Sequence, residues 1–400
     1  MSTATLRFLA PFAISAALLL LVVNSIRGEA SQLTDALASA DWRLIVPAVA
    51  CYFVGVWLRS ARWSLLLPEH SVKVTTLFRA LVVGFTINNL LPLRMGEVAR
   101  AYLLSRWCRI PYGATIASLV VERVLDGLSL AVLLLLSLLL VPAPGYLLVA
   151  GVVAAGGFLA GAWLLALAAW RASLLTSLAA FVARFLPPRL GDVLNRLATS
   201  FARSLALVHD PARLARLLGL SLLAWCFELG LFFVLLLSFR LPASYPLALL
   251  VGSAANFATL VPSSPGYVGT FDGVLINVLS DVSGVAAGAA AAYDVVVHAT
   301  LFLPVVVVGT LVLWRSHVSI DQITHAADRS GARAGGGDGW QRAACACYET
   351  AGLSARRAHA AWHGGRRALA DPSPVPGAEA APAGRHPAVP SGRLLRDVRG

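Results

Sequence analysis

The chain has 400 residues, of which 58% are hydrophobic and only 13% charged, and its mean hydropathy is +0.76. That balance exceeds what a soluble domain with one core needs, so it excludes an ordinary soluble enzyme and places the chain in a bilayer. The formal net charge of +12 rests almost wholly on arginines at segment ends and in the C-terminal part, without aromatic interleaving, which argues against nucleic acid and for lipid phosphates as partners.

Apolar stretches of about 20 residues suffice to cross a bilayer as helices. They occur at 7–26, 42–58, 115–141, 146–170, 217–239 and 286–314. The first is read as an uncleaved span, because Arg27, Glu29 and Asp35 separate it from the small residues Ala36, Ala38 and Ala40 that a signal peptide would need close by. Two further apolar segments, 74–110 and 246–280, are broken in matching ways. One carries Gly84, Asn88 and Asn89 and stops at Pro92, with Gly96 and Glu97 following; the other carries Gly252 and Asn256 and stops at Pro262, with Pro265, Gly266, Gly269 and Asp272 following. Freed backbone groups are tolerated at membrane depth only where protein or a wet cavity satisfies them. A matched pair of interrupted segments therefore points to a transport-type site, and the expected fold is an all-α polytopic bundle with two re-entrant helical hairpins in inverted pseudo-repeat.

Arginine placement orients the segments. Arg59, Arg62, Lys73, Arg79, Arg94, Arg100, Arg106 and Arg109 flank the first hairpin, and seven arginines lie between Arg171 and Arg216, whereas the connections at 142–146 and 241–245 are uncharged. The positive-inside rule then puts both termini in the cytoplasm of a cell with the chain in its plasma or inner membrane. Residues 1–315 form the transmembrane domain on this reading. Residues 316–400, rich in Ala, Arg, Gly and Pro, are expected to be a disordered basic tail, since they cannot bury enough apolar area to offset ordering entropy. Five scattered cysteines make no disulfide framework. Cys345 and Cys347 have no companion ligand at a zinc-site spacing, so neither a metal nor another cofactor is expected.

The chemistry must lie in polar residues isolated by the apolar background. Glu122, Arg123 and Asp126 fall within about one turn of a span, Glu228 within another, and Asp294 and His298 four apart on one helix face. Ionisable groups in spans are costly, so they pair with one another and are functional candidates. Carboxylates and an imidazole can also relay protons. Around the first break, Arg94, Glu97 and Arg100 recur every three residues along one side of a helix. Guanidinium forks and free helix N–H groups both suit a lipid phosphate, with Glu97 orienting an arginine.

The stretches NNLLPLRMGEVARAYLL (88–104), ERVLDGLSL (122–130) and VPSSPGYVGTFDGVL (261–275) resemble the flippase-like transmembrane region of lysylphosphatidylglycerol synthases, which also occurs as a stand-alone membrane protein. The resemblance covers about residues 5–315. It implies movement of an aminoacylated phospholipid or a polyprenyl-linked sugar between leaflets. It carries over Pro92, Arg94, Gly96, Glu97 and Arg100, then Glu122, Arg123 and Asp126, then Pro262, Pro265, Gly266 and Gly269; Asp272 stands where that family commonly has Glu. The aminoacyl-transferase domain of the full synthases is not recognised here, nor is a P-loop, a zincin helix or a nucleophile elbow, so lysyl transfer by this chain alone is not expected.

The expectation is thus a protein that binds and translocates an anionic lipid, with Arg94, Glu97 and Arg100 at the headgroup. The other intramembrane polar residues, with Asn88, would line or gate the path. Two alternatives stay open: an integral membrane transferase acting on a lipid-linked substrate, and a scaffold for a separate aminoacyl- or glycosyl-transferase.

Overall fold

A computed structural model describes residues 30–67, 72–91, 95–205, 210–260 and 265–316. The expected span at 7–26, the two prolines Pro92 and Pro262, Arg94, and the tail from 317 lie outside the described residues. The described chain is helical throughout: α1 (Ala30–Ser39), a 3-10 turn (Trp42–Leu44), α2 (Ile45–Leu66), α3 (Val74–Leu90), α4 (Met95–Cys108), α5 (Tyr112–Leu140), α6 (Gly145–Trp170), α7 (Ala172–Ala183), α8 (Pro188–Leu205), α9 (Pro211–Ser238), α10 (Tyr245–Ala258), a 3-10 turn (Pro265–Tyr267), α11 (Thr270–Ser283) and α12 (Ala287–Ser316).

Among the described residues, five helices are long and apolar enough to cross a membrane, spanning Trp42–Leu66, Tyr112–Leu140, Gly145–Ala168, Pro211–Ser238 and Ala287–Ser316. They coincide with five of the six spans expected from the sequence, and the protein is a multi-pass membrane helix bundle. α6 shows the solvent for which the bundle is built. It exposes Leu148, Val149, Val152, Val153, Leu159 and Trp163, an arrangement that only lipid accommodates over such a length.

Local chemistry sets the helix ends. Asp210 caps α9, accepting from the amides of Ala212 (3.0 Å) and Arg213 (3.2 Å), with Pro211 in the first turn. Ser244 caps α10 through the Leu247 amide, and α11 ends at Gly284 in the left-handed conformation. The middle connection, expected as an arginine-rich loop, contains the paired helices α7 and α8, and α8 also packs against α5. In sequence, the apolar face of α8 is masked by interspersed arginines.

Each interrupted segment is a pair of short helices packed on each other, α3 with α4 and α10 with α11. The long helices α2 and α9 form the most extensive contact in the bundle, and α12 packs along α3. Two glycines permit these approaches. A Cβ at Gly55 would stand 3.0 Å from the Ala224 carbonyl oxygen, and one at Gly309 would stand 2.0 Å from Thr86 Oγ1. The Thr86 hydroxyl in turn donates to the Val305 carbonyl (2.8 Å) beside Pro304, tying α3 to the proline in the interior of α12.

Candidate functional site

At the first break, the helices cross at two glycines. A Cβ on Gly96 would lie 1.9 Å from the Gly84 carbonyl oxygen, so no larger residue fits without moving backbone. This contact brings the Asn88 side chain against the start of α4, where its Oδ1 accepts from the Gly96 amide at 2.7 Å. The first helix of the pair thus caps the second across the interruption. Glu97 follows in the first turn of α4, where a carboxylate also suits the helix dipole.

The second break is capped from within. Asp272, in the first turn of α11, reaches back to accept from the Gly269 amide at 2.7 Å, the acidic half of a capping box. Gly266 and Gly269 have φ of 72° and 90°, conformations that favour glycine, and Tyr267 shares the left-handed region at 62°. Asn256 donates to the Gly252 carbonyl of its own helix.

The two breaks abut. A Cβ on Gly266 would meet the Asn89 carbonyl oxygen at 3.7 Å, and both breaks line a single cavity of about 380 Å³. Asn88, Asn89 and Glu97 come from the first break; Asn256, Thr259, Leu260, Gly266 and Tyr267 come from the second. Arg59, Arg123, Asp126, Glu228 and His298 supply the remaining ionisable groups, set among Phe85, Phe158, Phe257, Phe271 and Phe302.

Behind the cavity lies a network of buried ion pairs. On α5, Ser118, Glu122 and Asp126 recur every four residues; on α9, Ser221, Trp225 and Glu228 share a face; α2 presents Arg59 and Arg62 between them. Arg100 of α4 grips Glu122 with both terminal nitrogens at 2.8 Å, a fork matched to a carboxylate. Arg62 donates to Asp126 (2.6 Å) and to the Ser221 hydroxyl (2.8 Å). Arg59 pairs with Glu228 at 2.6 Å and reaches Asp126 at 3.4 Å. Arg123 contacts Glu122 at 2.7 Å and Asp126 at 3.3 Å. Indoles close the frame: Arg59 stacks over Trp225 (4.0 Å) and Arg100 over Trp63 (4.1 Å), while the Trp225 and Trp63 N–H groups donate to Asp126 and Ser118. Four guanidinium groups thus face three carboxylates, and the exposed one is Arg123, whose side chain is 38% accessible.

Among the described residues, a second acidic cluster holds no guanidinium. Asp272 Oδ1 lies 2.6 Å from His298 Nδ1, and Asp294, buried one turn before His298 on α12, is close enough to Asp272 for the two carboxyls to act on each other. Phe271 and Phe302 flank the imidazole, with ring centroids 5.5 and 6.3 Å away.

Residues 8–309 match the family model described as the lysylphosphatidylglycerol synthase TM region. The chain belongs to this family. Among its relatives, glycosyltransferase AglD of Haloferax volcanii is 30% identical over 302 residues, 66% of this chain and 48% of that protein. A UPF0104 membrane protein of Methanothermobacter thermautotrophicus is 26% identical over 284 residues, 66% of this chain and 83% of that one. Another, from Methanocaldococcus jannaschii, is 36% identical over 96 residues, 23% of this chain and 27% of that one. The chain therefore spans about half of AglD and most of the Methanothermobacter protein.

The family resemblance read from the sequence joins its three motifs in space. Asn88 and Glu97 of the first motif, Arg123 and Asp126 of the second and Gly266 of the third line the shared cavity. Gly96 holds the helix crossing and Gly269 receives the Asp272 cap. Arg100 is only 2% exposed and faces Glu122, outside the cavity lining. Glu228 meets Arg59, whereas His298 meets Asp272 on the neighbouring helix as well as sharing a face with Asp294. Arg59 and Arg62, read from sequence as flanking charges, are 3% and 0% exposed and belong to the network. Their partners lie 60 to 169 residues away, so no local spacing reveals them. The usable signal was three acids in spans that required cations.

Proposed function

We propose that the protein moves an anionic lipid between leaflets, taking its headgroup into the cavity between the two breaks. The observation that carries this reading is that both breaks line one cavity into which Arg123 opens. A volume of about 380 Å³ is at the small end of ligand sites. It suits a headgroup whose acyl or polyprenyl chains stay in the surrounding lipid. Arg59 and Arg123 supply charge-assisted donors for phosphate, and the three asparagines and Glu97 supply polar partners for headgroup hydroxyls or amines. Arg100 acts through Glu122, holding the frame that aims Arg123, and Arg94 remains a headgroup candidate on its sequence position.

The two helix pairs fit re-entrant hairpins entering from opposite faces, with both termini cytoplasmic, and rocking of the halves about the cavity would alternate access. The part-length match to a protein named as a glycosyltransferase supports a working partnership with a separate transferase of lipid-linked substrates. Co-purification with such an enzyme checks that partnership.

The test is leaflet exchange of fluorescent phosphatidylglycerol in vesicles containing the purified protein. Arg123→Gln leaves three guanidinium groups facing three carboxylates, so the fold stays compensated while the cavity loses its exposed cation. Exchange above protein-free vesicles, lost in folded Arg123→Gln, is the expected result. Equal exchange in the variant would remove the headgroup role.

A further inference from the structure

We propose that Asp272, Asp294 and His298 form a proton-binding site whose occupancy sets the shape of the second break. Asp294 is 4% exposed on α12, its Oδ1 has no hydrogen-bond partner, and its neighbour is another carboxyl. Two carboxyl groups sharing one buried apolar site do not both ionise readily, so one of them favours a proton. Among the described residues, the only ion pair recorded for this cluster is with His298, so a proton is what offsets the second charge in this apolar setting.

His298 connects the pair to the cavity. Its side chain is 21% accessible and lines the cavity while its Nδ1 touches Asp272. If Nε2 takes a proton from the cavity and Nδ1 passes its own to Asp272, the imidazole ends neutral in its other tautomer and the carboxyl pair gains one proton. Asp272 is also the cap of α11, through the Gly269 amide. A carboxylate accepts that N–H about twice as strongly as a neutral carboxyl does, so the added proton loosens the glycine turn from Gly266 to Gly269.

The surroundings leave this role to the cluster. Among the described residues, the other charged groups on the cavity are the Arg59–Glu228 pair of α2 and α9, Arg123 and Asp126 of α5, and Glu97 of α4. α3 carries the exposed Arg79 and α1 the exposed Asp35. Tyr293, beside Asp294, donates to the Phe232 carbonyl. The proposal depends on lipid translocation only for what the proton would drive, and its test uses no lipid transport.

Infrared difference spectra of the purified protein between about pH 5 and about pH 8 read the C=O stretch of a protonated carboxyl. Separately, maleimide labelling of Leu260→Cys, in a background without the native cysteines, reads the break. Expected is a carboxyl band lost in both Asp294→Asn and Asp272→Asn, and a labelling rate that changes severalfold with pH relative to the same cysteine beside Asp294→Asn. A band untouched by either substitution would overturn the site. A labelling ratio that stays flat with pH would overturn its control of the break. Absent lipid exchange with both signals intact would instead count against the translocation reading.

Discussion

The bundle contains two acidic clusters with opposite solutions to the same problem. Glu122, Asp126 and Glu228 are neutralised by four arginines, with indoles stacked behind two of them. Asp272 and Asp294 have each other and one histidine. Buried ion pairs are costly to form and costlier to break singly, so the first cluster behaves as a fixed frame linking α2, α4, α5 and α9. The second can change its charge by one proton without exposing an unpaired arginine. Arginine-paired charge thus lies on one side of the cavity and the histidine-linked carboxyls on the other.

Breaking the frame should have the largest effect. Arg100→Ala leaves Glu122 buried without its bidentate partner and should cost about 3–5 kcal/mol of stability, read from thermal unfolding in detergent. A loss under about 1 kcal/mol, the range of exposed pairs, would mean that Arg100 is not desolvated. Gly96→Ala comes next. Its Cβ must displace the Gly84 backbone, and overpacking of this kind costs about 1–3 kcal/mol; a substitution without effect would argue against the close crossing of α3 and α4.

Asp294→Asn should separate the two clusters. Because no described arginine pairs with this residue, the change should cost about 1 kcal/mol or less, far below Arg100→Ala, in the same unfolding assay. A loss as large as that of Arg100→Ala would make the second cluster a structural frame as well. The smallest effect belongs to Arg106→Ala. Arg106 is exposed and bonds only Tyr102 among its described partners, so stability and lipid exchange should stay within about 0.5 kcal/mol of the parent.

What the sequence disclosed follows the range of the interactions. Spans are local in hydropathy, and five appear where the apolar stretches lie. The breaks are local in Pro, Gly and Asn, and Asn88 and Gly96 prove to be the two ends of one hydrogen bond. Pairing across helices was not legible. A spacing of three puts Glu97 and Arg100 on neighbouring positions of one helix, yet it does not say that Glu97 meets the cavity while Arg100 meets Glu122. Asp294 and His298 shared a face as expected, but the carboxylate that holds the imidazole is Asp272, 26 residues earlier. Arg59 and Arg62 obeyed a rule for flanking charge and still turned inward, because Gly55 lets α9 approach and bring Glu228 to Arg59 and Ser221 to Arg62.

On the proposed function, both breaks serve one cavity that takes an anionic headgroup. The most direct test of this places single cysteines at Asn89 and at Leu260, one beside each break, and measures how lipid protects them from maleimide. Phosphatidylglycerol should protect both positions in parallel, a neutral diacylglycerol should protect neither, and Arg123→Gln should abolish protection at both. Protection at only one position, or equal protection by the neutral lipid, would contradict a shared anionic headgroup site.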